Sequence, residues 1–264
     1  MKLALCCGIN YVGTGSDLAG CVNDAADWEY ALIQRGYEVS KLLERDATAT
    51  AIMENLARLI ERLTYGDILV FTFSGHGSWV PDESGDEPDG RDEIICPYDI
   101  TEGVWITDDQ IAEVLKHTKG ARVIMISDSC HSGSVSRMST ALKPNPRGQK
   151  VRFLPPSAFM NERDISDVRG FSIARASKPV GSSASVLLSG CRDREFSYDA
   201  WFGDRANGAF TRAALDALGE SPATYRDWHK KIRTRLPSAE YPQTPQILAS
   251  RGDMKKWPAL GEGR

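Results

Sequence analysis

No pair of cysteines in this 264-residue chain is spaced as CxxC, although six are present: Cys6, Cys7, Cys21, Cys96, Cys130 and Cys191. A zinc site is therefore not expected. No apolar run approaches a membrane span. The opening Met1-Lys-Leu-Ala-Leu-Cys-Cys-Gly8 carries one basic residue and an apolar run too short for a signal-peptide core. Reduced thiols in a cytoplasmic protein are the expectation. Positive charge is not in excess either: 32 Lys+Arg stand against 36 Asp+Glu, a formal net charge of −4. A nucleic-acid surface is not expected from that balance. Histidine is scarce, with His76, His117, His131 and His229 alone available as a general base. No internal repeat is visible.

What is present is alternation. Lys2–Ile9, Tyr37–Leu43, Asp67–Ser74, Arg122–Ser127 and Ser185–Cys191 read as apolar strands, and Gln246–Ala249 as a short last one. Between them, 23–35, 48–63 and 108–117 have helical periodicity, followed later by 207–218 and 224–236. Strands alternating with helices predict an α/β fold with a mostly parallel sheet covered on both faces. Residues 75–105 read as a loop. From about 143 to 183 the periodicity disappears and proline, serine and glycine rise, as in a solvated flexible linker.

Two of the buried strands end in reactive residues. One runs into Ser74-Gly-His-Gly77, the other into Asp128-Ser-Cys-His-Ser-Gly133. Parallel strands open at one edge of the sheet, where sites in open α/β sheets gather. Cys130 is the candidate nucleophile and His76 the candidate base, since a thiol near its ordinary pKa needs help to ionise. His131 adjoins Cys130, but neighbouring side chains in an extended segment point apart. His117 and His229 read as surface or structural residues. The backbone N–H groups of Gly77 and Cys130 are candidates to hold an oxyanion. Taken alone, Cys130 reads better as a buried, inert thiol.

The stretches Tyr65–Gly77, Gly85–Pro97 and Asp128–Gly133 resemble the metacaspases, and among them the prokaryotic orthocaspases of the caspase-like clan of cysteine peptidases. Asp17–Ala25 resembles that family's N-terminal motif, and Leu188–Asp193, Asn207–Thr211 and Gln243–Gln246 its small-subunit signatures. The resemblance implies a caspase-like three-layer fold with a central sheet of six or more strands. It implies one domain in three stretches: 1–142 large-subunit-like, 143–183 a basic activation linker, and 184–264 small-subunit-like. It implies a cysteine endopeptidase acting through His76 and Cys130, with a pocket for the residue before the scissile bond at Cys21, Asp24, Ser74 and Asp128. Acidic residues there favour a forked guanidinium, so cleavage after Arg, then Lys, is expected of protein substrates.

Calcium activates many members, and the positions resembling their ligands are Asp92, Asp108 and Asp109. The fourth position falls at about Arg137, which cannot ligate, and no cofactor is otherwise required. Eight basic residues punctuate the linker: Lys143, Arg147, Lys150, Arg152, Arg163, Arg169, Arg175 and Lys178. A protease that cuts after basic residues would find processing sites there, cut by itself or by an upstream activating protease. The alternatives are a catalytically silent scaffold and an Asp-specific protease; the latter would need an arginine-lined pocket. A monomer, with no membrane partner, is expected.

Overall fold

The computed structural model describes residues 1–82, 90–131, 148–161, 165, 185–192 and 194–261. In chain order these form β1 (Lys2–Gly8), α1 (Cys21–Ile33), β2 (Glu38–Leu43), α2 (Ala49–Arg62) and β3 (Ile68–Ser74). Next come β4 (Gly77–Pro81), β5 (Arg91–Ile95), β6 (Ile106–Thr107), α3 (Asp108–Leu115), β7 (Arg122–Asp128) and β8 (Lys150–Val151). The rest is β9 (Ser185–Ser189), β10 (Tyr198–Phe202), β11 (Arg205–Gly208), α4 (Ala209–Gly219), α5 (Tyr225–Arg233) and β12 (Gln246–Ala249).

One six-stranded sheet, in the order β12-β9-β7-β3-β1-β2, organises the chain. All its neighbours pair in parallel except β12, which runs antiparallel to β9. This is the mostly parallel α/β sheet expected from the alternation, and its six strands match the caspase-like fold that the resemblance implies. Because strand side chains alternate in direction, Leu3, Leu5, Leu69, Phe71, Val123 and Met125 meet α2 and α3 on one face. Ala4, Cys6, Val70, Ile124, Ile126 and Val186 meet α1, α4 and α5 on the other. Each fully buried aliphatic or aromatic side chain contributes about 1.5–3 kcal/mol, which is what makes this frame rigid.

The helices begin where side chains can take up free N–H groups. Thr48 Oγ1 accepts from Ala51 N at 3.2 Å to start α2. Thr107 and Gln110 form a reciprocal capping box at α3.

The register fixes the site. Gly8 pairs with Ser74, and Ser74 with Asp128, so β1, β3 and β7 end flush. His76 and Cys130 each follow two residues beyond the matched pair Ser74–Asp128, at the same edge.

Three expectations change. The loop expected over 75–105 contains β4 and β5, which with β6 just beyond it form a small antiparallel sheet. A hairpin, β10–β11, precedes α4 and joins β8 in a third sheet. The expected flexible linker is, over 148–161, built into the protein: Arg152, Phe153 and Leu154 are all buried. Its other described residue is Ile165, half-buried, and the remainder lies outside the described residues.

Candidate active site

The chain turns sharply after β3 and β7, and glycine is required where the two turns meet. A Cβ on Gly77 would lie 2.2 Å from the Cys130 carbonyl oxygen. Both Cys130 and His76 are buried. His76 is clamped from two directions: its N–H donates to the Tyr11 hydroxyl at 3.0 Å, and the Tyr11 ring lies 4.8 Å from its imidazole. Nε2 lies 2.7 Å from the Ser16 carbonyl oxygen. A carbonyl can only accept, so Nε2 carries the proton and Nδ1 keeps a lone pair. That Nδ1 is buried and has no hydrogen-bond partner among the described residues. Burial pushes the imidazole pKa down to about 4, against the Ser16 carbonyl, which favours the charged form. His76 is therefore neutral near pH 7, with its free nitrogen able to accept a proton.

Cys130 and His76 are brought to one edge but no hydrogen bond closes the pair. Cys130 Sγ instead contacts the Ser197 main chain, accepting from its N–H and lying 3.5 Å from its carbonyl oxygen. The Cys191 thiol hydrogen-bonds with Cys130, and this contact together with burial holds Cys191 well above the ordinary thiol pKa. His131 is turned away, with Nδ1 3.0 Å from the Ile94 carbonyl oxygen and Nε2 3.2 Å from Ser129 Oγ. His117 is exposed, and His229 contacts the Pro245 carbonyl oxygen at 2.9 Å.

The cleft is filled by the chain itself. β8 lies antiparallel on β10, pairing Val151 with Tyr198 and Lys150 with Asp199. Arg152 N then donates to the Ser197 carbonyl at 2.9 Å. The two N–H groups expected to hold an oxyanion, those of Gly77 and Cys130, both donate to the carbonyl oxygen of Arg152, each at 3.0 Å. This is how an extended peptide is bound across a sheet edge, with main-chain hydrogen bonds giving the register.

The Arg152 side chain is fully buried and enters the pocket expected at Cys21, Asp24, Ser74 and Asp128. Nη2 lies 2.7 Å from Asp24 Oδ2 and 3.0 Å from Asp199 Oδ1, and Nη1 lies 3.2 Å from Asp128 Oδ2. Cys21 and Ser74 are both buried, Cys21 at the start of α1 and Ser74 beside Asp128 in the sheet register. Burial opposes the charge on Arg152, yet Asp128, Cys21, Asp24 and Asp199 together hold its pKa well above the usual guanidinium value. Burial pushes the Asp24 carboxyl up, to about 7, against the pull of Arg152.

Three carboxylates around one guanidinium would not persist in a dry pocket without further donors. Asp24 accepts from Gly208 N at 3.0 and 3.1 Å and from Asn207 Nδ2 at 2.9 Å. Asp128 accepts from Ser197 Oγ at 2.5 Å, Thr211 N at 2.9 Å and Thr211 Oγ1 at 2.7 Å. Asp199 accepts from Ala19 N at 2.8 Å and Gly20 N at 2.9 Å. A side chain at Gly208 would collide with this arrangement, since its Cβ would lie 2.0 Å from Asp128 Oδ2. The segment 207–211, noted in the sequence only as a signature, is thus the support of the acidic pocket. Gln243 holds the adjoining loop, accepting from Tyr198 N at 3.1 Å and donating to the Gly190 carbonyl at 2.9 Å.

Sequence reasoning missed Asp199 as a pocket residue. It sits between tyrosine and alanine as the one charged residue of a short aromatic strand, and only the pairing with β8 points to it. Arg152 was one of eight basic candidates. Lys150 is exposed, with Nζ donating to the Asp17 carbonyl oxygen. Lys143, Arg147, Arg163, Arg169, Arg175 and Lys178 lie outside the described residues.

The candidate calcium positions lie near one another, since β5 pairs with β6, the strand that runs into α3. Asp92 lies on β5 while Asp108 and Asp109 open α3. Among the described residues no three His, Cys, Asp or Glu side chains converge to hold a metal ion. Arg137 lies outside the described residues. No helix among the described residues is long and apolar enough to cross a membrane.

Comparison with known proteins gives a consistent answer. The family model described as the metacaspase, peptidase C14 domain matches residues 2–139. Metacaspase-1 of Cryptococcus neoformans is 33% identical, over 94% of this chain and 62% of that protein. Metacaspase-1 of Mycosarcoma maydis is 31% identical, over 94% of this chain and 70% of that protein. The chain thus spans a little under two thirds of the length of the Cryptococcus relative. The crystal structure of a Geobacter sulfurreducens protein superposes with a TM-score of 0.75 at 30% identity, covering 99% of this chain and 98% of that one. By sequence, sheet order and the residues at its sheet edge, the chain belongs to the metacaspase family, peptidase C14.

Proposed function

We propose that this protein is a cysteine endopeptidase that cuts after arginine, and less well after lysine, and that its own Arg152–Phe153 bond is its first substrate. One observation carries the reading. Arg152 enters a pocket of three carboxylates while its carbonyl oxygen accepts from the N–H groups of Gly77 and Cys130. That is the pose of a substrate residue preceding a scissile bond.

The chemistry follows from the groups in place. His76 Nδ1 takes the thiol proton, and Cys130 Sγ attacks the Arg152 carbonyl carbon. Negative charge develops on the oxygen already held by two N–H groups, where preorganised donors stabilise it most. The tetrahedral species collapses to a thioester on Arg152. The Phe153 amine leaves with the proton from His76. Water then attacks the thioester, giving up a proton to His76, and releases the Arg152 carboxylate and the thiol. The contact of Cys130 Sγ with the Ser197 main chain must loosen for the thiol to turn to His76, so the closed geometry is one of waiting.

The uncut chain blocks other substrates, because Arg152 occupies the pocket they need. Cutting frees its carboxyl end and allows 150–152 to leave β10. Arg outranks Lys because Asp24, Asp128 and Asp199 meet two different guanidinium nitrogens, a fork that an ammonium cannot match.

A fluorogenic peptide panel with Arg, Lys or Asp before the scissile bond, run with calcium and with chelator on intact and self-cut chain, tests this. The expected order is Arg above Lys, with Asp at background and the intact chain slower than the cut one. Preference for Asp, or no turnover by either form, would overturn it.

A further inference from the structure

Resting on the reading that Arg152–Phe153 lies in the cleft as a substrate, we propose that the enzyme also selects the residues after the scissile bond: an aromatic side chain first, then an aliphatic one. Phe153 is buried in a cluster of its own with Trp79, Cys191, Phe196 and the nucleophile Cys130. Its ring lies 6.2 Å from that of Phe196, inclined at 54°, an arrangement aromatic pairs favour. The main chain is gripped as well. Phe153 bridges to Gly77 in parallel, Leu154 N donates to the Gly77 carbonyl at 3.0 Å, and Ser78 Oγ donates to the Leu154 carbonyl at 2.6 Å. The Leu154 side chain is buried in the core cluster on the α2–α3 face.

The walls of this subsite are fixed by contacts that do not involve Phe153. The Trp79 ring is covered by the Arg91 guanidinium at 4.1 Å. The loop carrying Phe196 is tied down through its neighbour Glu195, which accepts from Thr244 N at 2.6 Å and from Thr244 Oγ1 at 2.9 Å. A pocket held open in this way persists when Phe153 leaves and takes an incoming aromatic residue in its place. A carboxylate there would be buried between the Trp79 and Phe196 rings at a cost in desolvation that a phenyl ring does not incur. Selection on the two sides of the bond then differs in kind: charge pairing before it, apolar burial after it.

The test uses the full chain after its Arg152–Phe153 bond has been cut. Three internally quenched peptides of the form Val-Arg-X-Leu, with X as Phe, Gly or Asp, are compared with an Arg-coumarin amide that has no amino acid after the bond. Phe is expected to exceed Gly by roughly tenfold or more in kcat/KM, with Asp lowest. Phe196→Ala is expected to compress the Phe-to-Gly ratio, a ratio that does not depend on how much of the variant is folded. Equal kcat/KM for Phe, Gly and Asp, with the coumarin amide turned over, would overturn the selection after the bond while leaving the arginine reading intact. No hydrolysis of any of the four would remove both.

Discussion

Two sets of aspartates in this protein look alike on paper and differ in what they surround. Asp24, Asp128 and Asp199 are scattered over 175 residues, yet they close on one guanidinium, each within 3.2 Å of Arg152. Asp92, Asp108 and Asp109 belong to an acid-rich part of the chain, on β5 and in the first turn of α3, away from that guanidinium. The first set converges because each member follows or faces a sheet edge and is backed by N–H and O–H donors from other segments. Abundance of negative charge in a sequence therefore says little about a site. Convergence with supporting donors says much.

The contrast can be broken, and the largest expected effect is on the chemistry that the first set serves. Cys130→Ala is expected to bring both self-cutting and turnover of an Arg peptide to background. Residual turnover at more than a few per cent, followed by fluorescence, would place the nucleophile elsewhere.

Next come the pocket carboxylates. Asp24→Asn, Asp128→Asn or Asp199→Asn each remove one partner of a buried charge group, a change that costs about 2–5 kcal/mol in binding. A fall in kcat/KM for Arg peptides of about 100-fold or more is expected, with Cys130 still alkylated at the parental rate. Loss of alkylation together with turnover would mean that the pocket acts on the fold and not on recognition. The contrasting set should respond weakly. Asp108 and Asp109 lie in the first turn of α3, where a carboxylate is worth roughly 0.3–1 kcal/mol. Asp109→Asn is accordingly expected to lower Tm by a few degrees at most and to leave peptide turnover within about twofold. A larger loss that calcium restores would show that the second set does act as a metal site.

The smallest expected effect is one of pH. Burial holds His76 down at about 4 from an ordinary value of 6.5. A depressed histidine contributes stability that is complete above 6.5, shrinks as the pH falls and is gone below about 4, because the unfolded chain takes up the proton first. Between pH 7 and pH 4.5, His76→Asn should therefore lose a few degrees less in Tm than the parent. Equal losses would show that His76 is not buried as described.

Much of this frame was written in the chain in plain terms. β1, β3 and β7 are continuous apolar runs, so their strand nature, their shared edge and the placement of His76 and Cys130 two residues beyond it follow from periodicity and topology. Cys21, Asp24, Ser74 and Asp128 needed the family resemblance, because a lone aspartate at a helix start has an ordinary role there. What stayed hidden was whatever depends on pairing between distant segments. β4 and β5 are short and carry little alternation, so 75–105 read as loop. Asp199 acquires its role only because β10 pairs with β8. Arg152 has no local feature separating it from Lys150 two residues earlier. The two share a face of the strand, and they differ because Arg152 lies over the three carboxylates while Lys150, two residues back, reaches only the Asp17 carbonyl at the surface.

The central claim is that Arg152 sits in the cleft as a substrate, and intact-mass spectrometry of the purified chain over time tests it most directly. The account predicts two fragments, 1–152 and 153–264, appearing in the parent and in neither Cys130→Ala nor Arg152→Ala. A chain that stays whole while hydrolysing Arg peptides at full rate, or one cut at the same bond with Cys130 replaced, would contradict it.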